Sequence, residues 1–314
     1  MPEMSTQSVS IIIVTAGKNS HTQACLDSVR QQAYAPLSAI LIDNSLNSNF
    51  LKSLNFDRNF FKVFSPPRNL FYCDGLNKGI AMSTGEFILC LNDDVTLKRD
   101  FIQQAVRGFL IDKRIGMVSG KIMRLDGRSI DSTGLCLTLA RTAKERGYGL
   151  KDSGQFDQAD YIFGVNGAVA FYRRTMLEDI KEGQLYFDSG FRMFYEDLDI
   201  AWRAQNHGWK GYYLPSALAY HARGLSVRTN KGLNKKAARL YLSDELHLDL
   251  IKNRYLTIIK NESLAGFFLH LPFILIYDLF IWGFIFFFKF NLVKKFISSA
   301  GIFKSALIKR ARRK

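Results

Sequence analysis

The stretch Gly85-Glu86-Phe87-Ile88-Leu89-Cys90-Leu91-Asn92-Asp93-Asp94-Val95 runs an apolar segment straight into acidic side chains. Phe87 to Leu91 shows no polar alternation, the pattern of a strand covered on both faces in a parallel sheet. In α/β sheets the C-terminal ends of such strands open into the ligand crevice. Adjacent carboxylates placed there repel one another unless a cation or a base offsets their charge, and oxygen ligands of this kind suit Mg²⁺ or Mn²⁺. A polar turn that caps the following helix is the competing reading of the same residues.

Working outward, Ser10-Ile11-Ile12-Ile13-Val14 is a β-branched run that ends in turn residues, with Ser20 as a candidate N-cap for a helix carrying Cys25, Leu26 and Val29 at helical spacing. Ala39 to Ile42 reads as a second strand ending in Asp43-Asn44-Ser45, and Phe61 to Ser65 as a third, stopped by Pro66-Pro67. Asp74 to Ser83 reads as the helix before the acidic strand. The recurrence of strand, polar end and helix predicts a right-handed parallel sheet with its polar ends on one edge.

Beyond Val95, a helix over Phe101 to Leu110 and a strand over Gly116 to Ser119 are expected, followed by hairpins or an irregular excursion from Lys121 to Leu139. Gly164-Val165-Asn166-Gly167 precedes a strand over Ala168 to Tyr172, and its glycines permit close backbone approach to a ligand; a simple turn is the alternative. Phe194 to His207 reads as a helix opening on Glu196-Asp197, in which Asp199 and Arg203 stand at a pairing distance. Lys210 to Leu214 is expected to close the sheet, with Pro215 ending it.

Lys and Arg total 43 against 28 Asp and Glu, a net charge of +15, but residues 289–314 hold nine basic residues and no acidic one. The excess is therefore local, which favours an anionic lipid surface over nucleic acid as partner. Cys25, Cys73, Cys90 and Cys136 form no C-x-x-C pair, as expected of reduced thiols in a cytoplasmic compartment. The polar N-terminus carries no basic-then-apolar leader. Leu264 to Phe288 is almost wholly apolar, broken by His270, Pro272 and Asp278. Three readings apply to it: a tilted span, a Pro-broken hairpin dipping into one leaflet, or a helix in the interface. The hairpin is preferred. The division expected is a catalytic domain over residues 1–260 and a membrane-associated segment over 261–314.

Taken in order, Ile12 to Thr15, Leu41 to Ser45, Asn69 with Gly75 to Gly79, Gly85 to Asp94, and Tyr195 to Asp199 with Arg203 and Gly208 resemble family 2 glycosyltransferases over roughly residues 9–230. Within the family the likeness is greatest to bacterial rhamnosyltransferases of surface polysaccharide synthesis. The resemblance implies a GT-A (Rossmann-like), mostly parallel α/β sheet flanked by helices. It also implies inverting transfer from a nucleotide sugar, dTDP-L-rhamnose or a UDP-hexose, to a lipid-linked glycan at the cytoplasmic face of a bacterial inner membrane.

Carried over by position, the resemblance assigns Thr15, Asp43, Asn69, Asn77, Lys78, Asn92 and Asp93 to the nucleotide sugar. Asp94 and His221 fall to an Mg²⁺ or Mn²⁺ ion, Asn166 and Gly167 to the acceptor side, and Asp197 with Glu196 to catalysis, Asp197 as general base. The sequence departs from the family pattern at Ala16-Gly17-Lys18, at Leu70 and at Asn92, where some members have Asp. A membrane-tethered nucleotide-binding module without turnover is the reading from another class, and the intact Asp197 weighs against it. A dinucleotide-binding dehydrogenase is disfavoured because no G-x-G-x-x-G follows Val14.

Overall fold

The computed structural model describes residues 7–17, 20–223 and 243–311; Lys18, used in the reading above, and residues 224–242 and 312–314 lie outside them. The chain begins β1 (Val9–Thr15), α1 (Thr22–Arg30), β2 (Leu37–Asp43), β3 (Phe61–Phe64), α2 (Phe71–Ala81), β4 (Phe87–Asn92) and β5 (Val95–Leu97). The middle is α3 (Phe101–Ile111), β6 (Ile115–Arg124), β7 (Ile130–Ser132), β8 (Leu135–Leu137), β9 (Ala143–Glu145), β10 (Asp160–Ile162), β11 (Val169–Arg173) and α4 (Arg174–Ile180). Then come α5 (Glu196–Asn206), β12 (Lys210–His221), α6 (Asp244–Asn261), α7 (Leu264–Phe288), α8 (Asn291–Ser298) and α9 (Ala300–Ala311).

One sheet runs in the order β10-β12-β6-β11-β4-β1-β2-β3. Because successive side chains of a strand face opposite ways, Phe87, Leu89 and Leu91 of β4 join Ile11 and Ile13 against α1 and α3. Ile88 and Cys90 join Ile12 in a second core that includes residues of α2, α4 and α5. The uninterrupted apolar run of β4 is thus accounted for by cover on both faces. Helix α2 lies close on β1: a Cβ on Gly79 would come within 2.3 Å of the Ile12 side chain.

The structure differs from the sequence reading in four places that bear on the site. The sheet is parallel from β4 through β1 and β2 to β3, but β11 runs antiparallel to both neighbours, β4 and β6. Its reversed direction brings the start of β11, rather than its end, to the edge where β4 ends, with Val169 opposite Leu91. Second, β12 does not stop at Pro215. The register shifts between Leu214 and Leu218, so the proline, which has no N–H to give a ladder, sits in an irregularity and the strand continues to His221.

Third, α5 starts at Glu196, because Arg192, Phe194 and Tyr195 adopt left-handed φ values of 59°, 65° and 67°. Likewise α1 starts at Thr22, with His21 rather than Ser20 at the cap. Fourth, Leu264–Phe288 is a single continuous helix with Pro272 inside it, so the Pro-broken hairpin is set aside.

Helix α6 is held in the catalytic core by polar contacts. Lys260 reaches Asp188 (2.7 Å), Glu182 (3.0 Å) and Asp199 (3.1 Å), and Asn261 donates to Asp199 (2.8 Å). Arg203 donates to the same Asp199 (2.9 Å) and to the carbonyls of Ile180 and Tyr186, so the brace expected of Asp199 and Arg203 is present. The tail does not stand free. Ile302, Phe303 and Ala306 of α9 pack into the second core, Lys309 pairs with Asp188 (2.7 Å), and Arg310 donates to the carbonyls of Ile259 and Glu262. Lys309 and Arg310, counted above among charges facing lipid, thus face the protein.

Candidate active site

Three parallel strands end side by side, in register through Thr15 with Asp43 and Val14 with Asn92. Their tips form the first half of the site. Asp43 is buried and accepts from the Ser45 amide (3.0 Å) and, more weakly, the Ser65 hydroxyl (3.4 Å). Thr15 and Thr22 both donate to Oδ2 of Asp93, at 2.5 and 3.1 Å, which turns Asp93 toward β1 and α1. Asp94 points instead toward β12, where His221 Nε2 lies 3.2 Å from its Oδ1.

His221 is clamped from behind. Its Nδ1 is 2.8 Å from Oδ2 of Asp131 on β7, and Oδ1 of Asp131 accepts from Arg223 Nε (2.6 Å) and meets Arg124 Nε (2.8 Å). Burial works against charging His221, but hydrogen bonds to Asp131 and Asp94 and the charges of both outweigh it and push the imidazole up to about 9. For Asp131 burial is likewise outweighed, by the His221 hydrogen bond and the Arg223 charge, and its carboxyl is held below the usual range.

The donor set fits a divalent ion. A carboxylate oxygen and an imidazole nitrogen lie together with a second carboxylate orienting the ring, the arrangement found behind metal-bound histidines. Among the described residues no group of three such side chains forms a closed cage. A two-ligand site leaves positions for phosphate oxygens, as Mg²⁺ sites commonly do.

The second half of the site comes from β11 and α5. Gly167 donates its amide to Asp197 Oδ2 (3.0 Å), and Leu198 donates to Oδ1 (2.8 Å). A side chain at 167 would intrude, since a Cβ there would lie 3.1 Å from Glu196 Oε1 and 3.2 Å from Asp197 Oδ2. The two halves meet directly, because the Asn92 amide donates to the Ala168 carbonyl (2.9 Å) one residue from Gly167.

Burial and the neighbouring Asp197 push Glu196 up to about 8, and its Oε2 is buried with no hydrogen-bond partner among the described residues. Burial also raises Asp197, opposed by the two amides and by the Arg223 charge. Amide donors favour the ionised form, so of the two carboxyls Asp197 is the one favoured to ionise first and Glu196 the one favoured to keep a proton.

The other assigned residues make contacts within the protein. Asn69 accepts from the Phe71 amide (2.7 Å) in a turn before α2. Asn77 is buried, with its amide on the Phe187 carbonyl (2.7 Å) and its oxygen on the amides of Tyr186 and Phe187, so the structure does not bring it into the cluster. Lys78 lies 4.6 Å over the Phe64 ring. Asn166 bridges Glu145 and the Ala168 amide.

Sequence reasoning missed Asp131, Glu145, Tyr72, Arg223 and Asn253. Glu145, on β9, is pushed up to about 7, chiefly by burial. Tyr72 donates to the Gly167 carbonyl (2.9 Å). Asn253 on α6 holds the left-handed turn before Glu196, with Nδ2 2.7–2.8 Å from the carbonyls of Phe191, Met193 and Phe194. Arg223 lies two residues after His221; the others are assembled across distant segments and carry no local signal.

Known proteins share the fold. The chain is 22% identical over 247 residues to the poly-β-1,6-N-acetyl-D-glucosamine synthase of Staphylococcus epidermidis, covering 74% of this chain and 53% of that protein. It thus spans about half the length of the curated relatives it matches. Among solved structures, S. aureus TarS 1-349 in complex with UDP-GlcNAc superposes with a TM-score of 0.60 at 15% identity, covering 96% of this chain and 81% of that one. GalNAc-T7 with UDP, GalNAc and Mn²⁺ gives 0.59 at 14% identity, covering 82% and 48%. The mannosyltransferase PcManGT from Pyrobaculum calidifontis, in complex with GDP-Man and Mn²⁺, gives 0.55 at 14% identity, covering 96% and 84%. At these identities the structural likeness speaks for the GT-A fold. The Glycosyl transferase family 2 profile matches residues 10–181, more than half of the sequence, and the chain belongs to that family.

Proposed function

We propose that this protein is an inverting, metal-dependent glycosyltransferase that moves a sugar from a nucleotide donor to the hydroxyl of a lipid-linked glycan at the cytoplasmic face of a bacterial membrane. The observation that carries the reading is the pairing of the Asp94–His221 pair with Asp197 across the joined tips of β4 and β11. Asp94 and His221 would hold Mg²⁺ or Mn²⁺, which when bound stabilises the charge developing on the departing diphosphate. Asp43 and Thr15 line the nucleoside end. The acceptor oxygen forms a bond to the anomeric carbon from the face opposite the breaking carbon–phosphate-oxygen bond, and its proton passes to Asp197. The sugar therefore inverts its anomeric configuration.

dTDP-L-rhamnose is the donor favoured by the motif resemblance. UDP-N-acetylglucosamine is the second reading, favoured by the UDP-GlcNAc complex of TarS and by the poly-N-acetylglucosamine synthase relatives. A panel of nucleotide sugars assayed for Mn²⁺-dependent hydrolysis and thermal protection separates them, and protection by none of them refutes donor binding. NMR of the product anomer tests inversion.

Asp94→Ala is expected to lose Mn²⁺ binding in calorimetry with nucleoside diphosphate present, and to lower transfer by at least about 100-fold, with chelator doing the same to the unaltered protein. Asp131→Asn keeps the shape but weakens the clamp on His221, and should lower Mn²⁺ affinity by about 10- to 100-fold. Activity of the Asp94 variant in chelator would refute the metal role. Unchanged Mn²⁺ affinity in Asp131→Asn, with only thermal stability reduced, would leave Asp131 a purely structural residue.

A further inference from the structure

We infer that α7 and α8 lie flat on the bilayer with one face in lipid, rather than crossing it, an inference that rests on the membrane attachment proposed above. Length and composition permit a crossing. Helix α7 has 25 residues and a mean hydropathy of 2.1 over its most apolar stretch, and at 1.5 Å per residue it is about 37 Å long, against roughly 30 Å of hydrocarbon. The packing argues otherwise.

His270, Ile274, Asp278, Ile281 and Ile285 follow one another at steps of three and four and so form one stripe of the helix. That stripe is docked along its length. His270 Nδ1 is 2.8 Å from Arg141, Asp278 pairs with the buried Arg254, and Ile274, Ile281 and Ile285 are buried. Trp282 donates to the Tyr255 hydroxyl (2.8 Å), and Lys289 just past the helix end reaches Asp244 at the start of α6 (3.2 Å). Helix α6 therefore runs antiparallel beside the second half of α7, from Asp278 to Lys289. To cross, α7 would have to draw α6 into hydrocarbon together with its buried Lys252, Asn253 and Lys260 and their partners in the catalytic core.

The chain path gives a second, independent argument. A single crossing would leave everything after Phe288 on the far side of the membrane. Yet α9 returns to the same domain that α7 left, with Lys309 on Asp188 and Arg310 on the carbonyls of Ile259 and Glu262. Glu262 before α7 and Arg310 well after it meet at the end of α6, so the chain on either side of α7 lies on one side of the membrane.

What remains free is the opposite stripe. Phe268, Leu269, Ile276, Leu279, Phe280 and Phe287 are 57–79% exposed along the whole helix, and Phe290 and Ile297 extend the face onto α8. Its surroundings select lipid as occupant. No acidic residue follows Asp278 in the sequence, while Lys294 and Lys304 accompany the apolar face, the balance that anionic headgroups attract. The arrangement also places the chemistry beside the bilayer. Tyr195, the residue before Glu196, lines a cavity of about 40 Å³ with Arg254, Tyr277 and Asp278, so the turn leading into α5 lies beside the docked stripe of α7.

The test uses the full chain with Cys136→Ser and one of Leu269→Cys, Ile276→Cys or Phe287→Cys, leaving Cys25, Cys73 and Cys90, which are buried. Each is labelled with an environment-sensitive fluorophore and mixed with vesicles of phosphatidylcholine and phosphatidylglycerol, and depth is read with lipids carrying quenchers at defined positions. A flat helix gives all three probes the same shallow depth, about 5–10 Å below the headgroup boundary. A deep 276 between shallow 269 and 287 overturns the inference while leaving attachment intact. Failure of every variant, and of the unlabelled protein, to bind vesicles refutes attachment itself. Probes already shielded without lipid, in a protein that sediments as a dimer, make the face a contact between copies and overturn the inference as well.

Discussion

Replacing Asp197 by Asn is expected to lower kcat by about 10²–10⁴, the contribution of a positioned general base, while nucleotide-sugar affinity stays near its original value. The base argument rests on geometry. Both oxygens of Asp197 accept backbone amides, from Gly167 and Leu198, which fixes the carboxylate and favours its charged form. An asparagine keeps one of those bonds but sets its NH₂ against the other amide, so some loss of stability accompanies the loss of rate, about 1–3 kcal/mol. Calorimetry with the donor separates the roles: loss of donor binding alongside turnover would make Asp197 a structural residue.

The pH profile supplies a second readout. Burial raises Asp197, so the acid limb of kcat should lie above that of an ordinary aspartate, with turnover falling as pH drops through it. Glu196 still holds its proton near neutrality, so Glu196→Gln should retain most turnover at pH 7 and leave that limb in place. Stability moves with a definite sign. The folded-state value of Glu196 stands at about 8 against an ordinary 4.5, so the folded protein keeps a proton that the unfolded chain has released. Stability falls as pH rises through that window. The melting temperature of Glu196→Gln, relative to the parent, should therefore climb from pH 4.5 to 8 and level off beyond it. A constant difference across the range would show that Glu196 is ionised throughout.

Lys260→Met is expected to cost about 3–5 kcal/mol of folding stability, a large share of the 5–15 kcal/mol typical of a domain. The side chain is wholly buried among Asp188, Asp199 and Glu182, and its loss takes one cation from all three, leaving Asp188 with Lys309 and Asp199 with Arg203. Burial alone would raise Asp188, but Lys260 and Lys309 hold it well below the usual range. That part of the stability is present above the unfolded pKa of an aspartate and is lost on acidification, so acid unfolding of the variant should show a weaker dependence on pH. Urea unfolding measures the change directly. A loss under about 1 kcal/mol would place the cluster among ion pairs of surface strength. Because Lys260 also reaches Asp199 on α5, the variant should unfold α6 and the Glu196–Asp197 turn together.

Much of the architecture was legible in the residues alone. The unbroken apolar runs of β1 and β4 mark strands covered on both faces, and their polar ends mark the edge where Thr15, Asp43, Asp93 and Asp94 gather. These are local signals, set by side-chain periodicity within one element. The spacing of Asp199 and Arg203 foretold their ion pair for the same reason.

Three-dimensional packing decided the rest. The direction of β11 cannot be read from its own apolar residues, because parallel and antiparallel strands bury the same side chains. Only the sheet shows that Gly167 enters at the site edge. Pro215 is a local stop signal that β12 overrides by a register shift, since its pairing with β6 and β5 continues on the far side. Asp131 and His221 stand 90 residues apart and meet only because β7 and β12 both flank β6.

The same division runs through the C-terminal segment. Sequence alone established an apolar stretch long enough to cross a bilayer, and there Asp278 stood as a penalty in hydrocarbon. Tertiary structure supplied Arg254 as its partner and brought α9 back to the catalytic domain. Composition sets how much apolar surface a helix carries; which face keeps it exposed depends on charges and neighbours contributed by other parts of the chain.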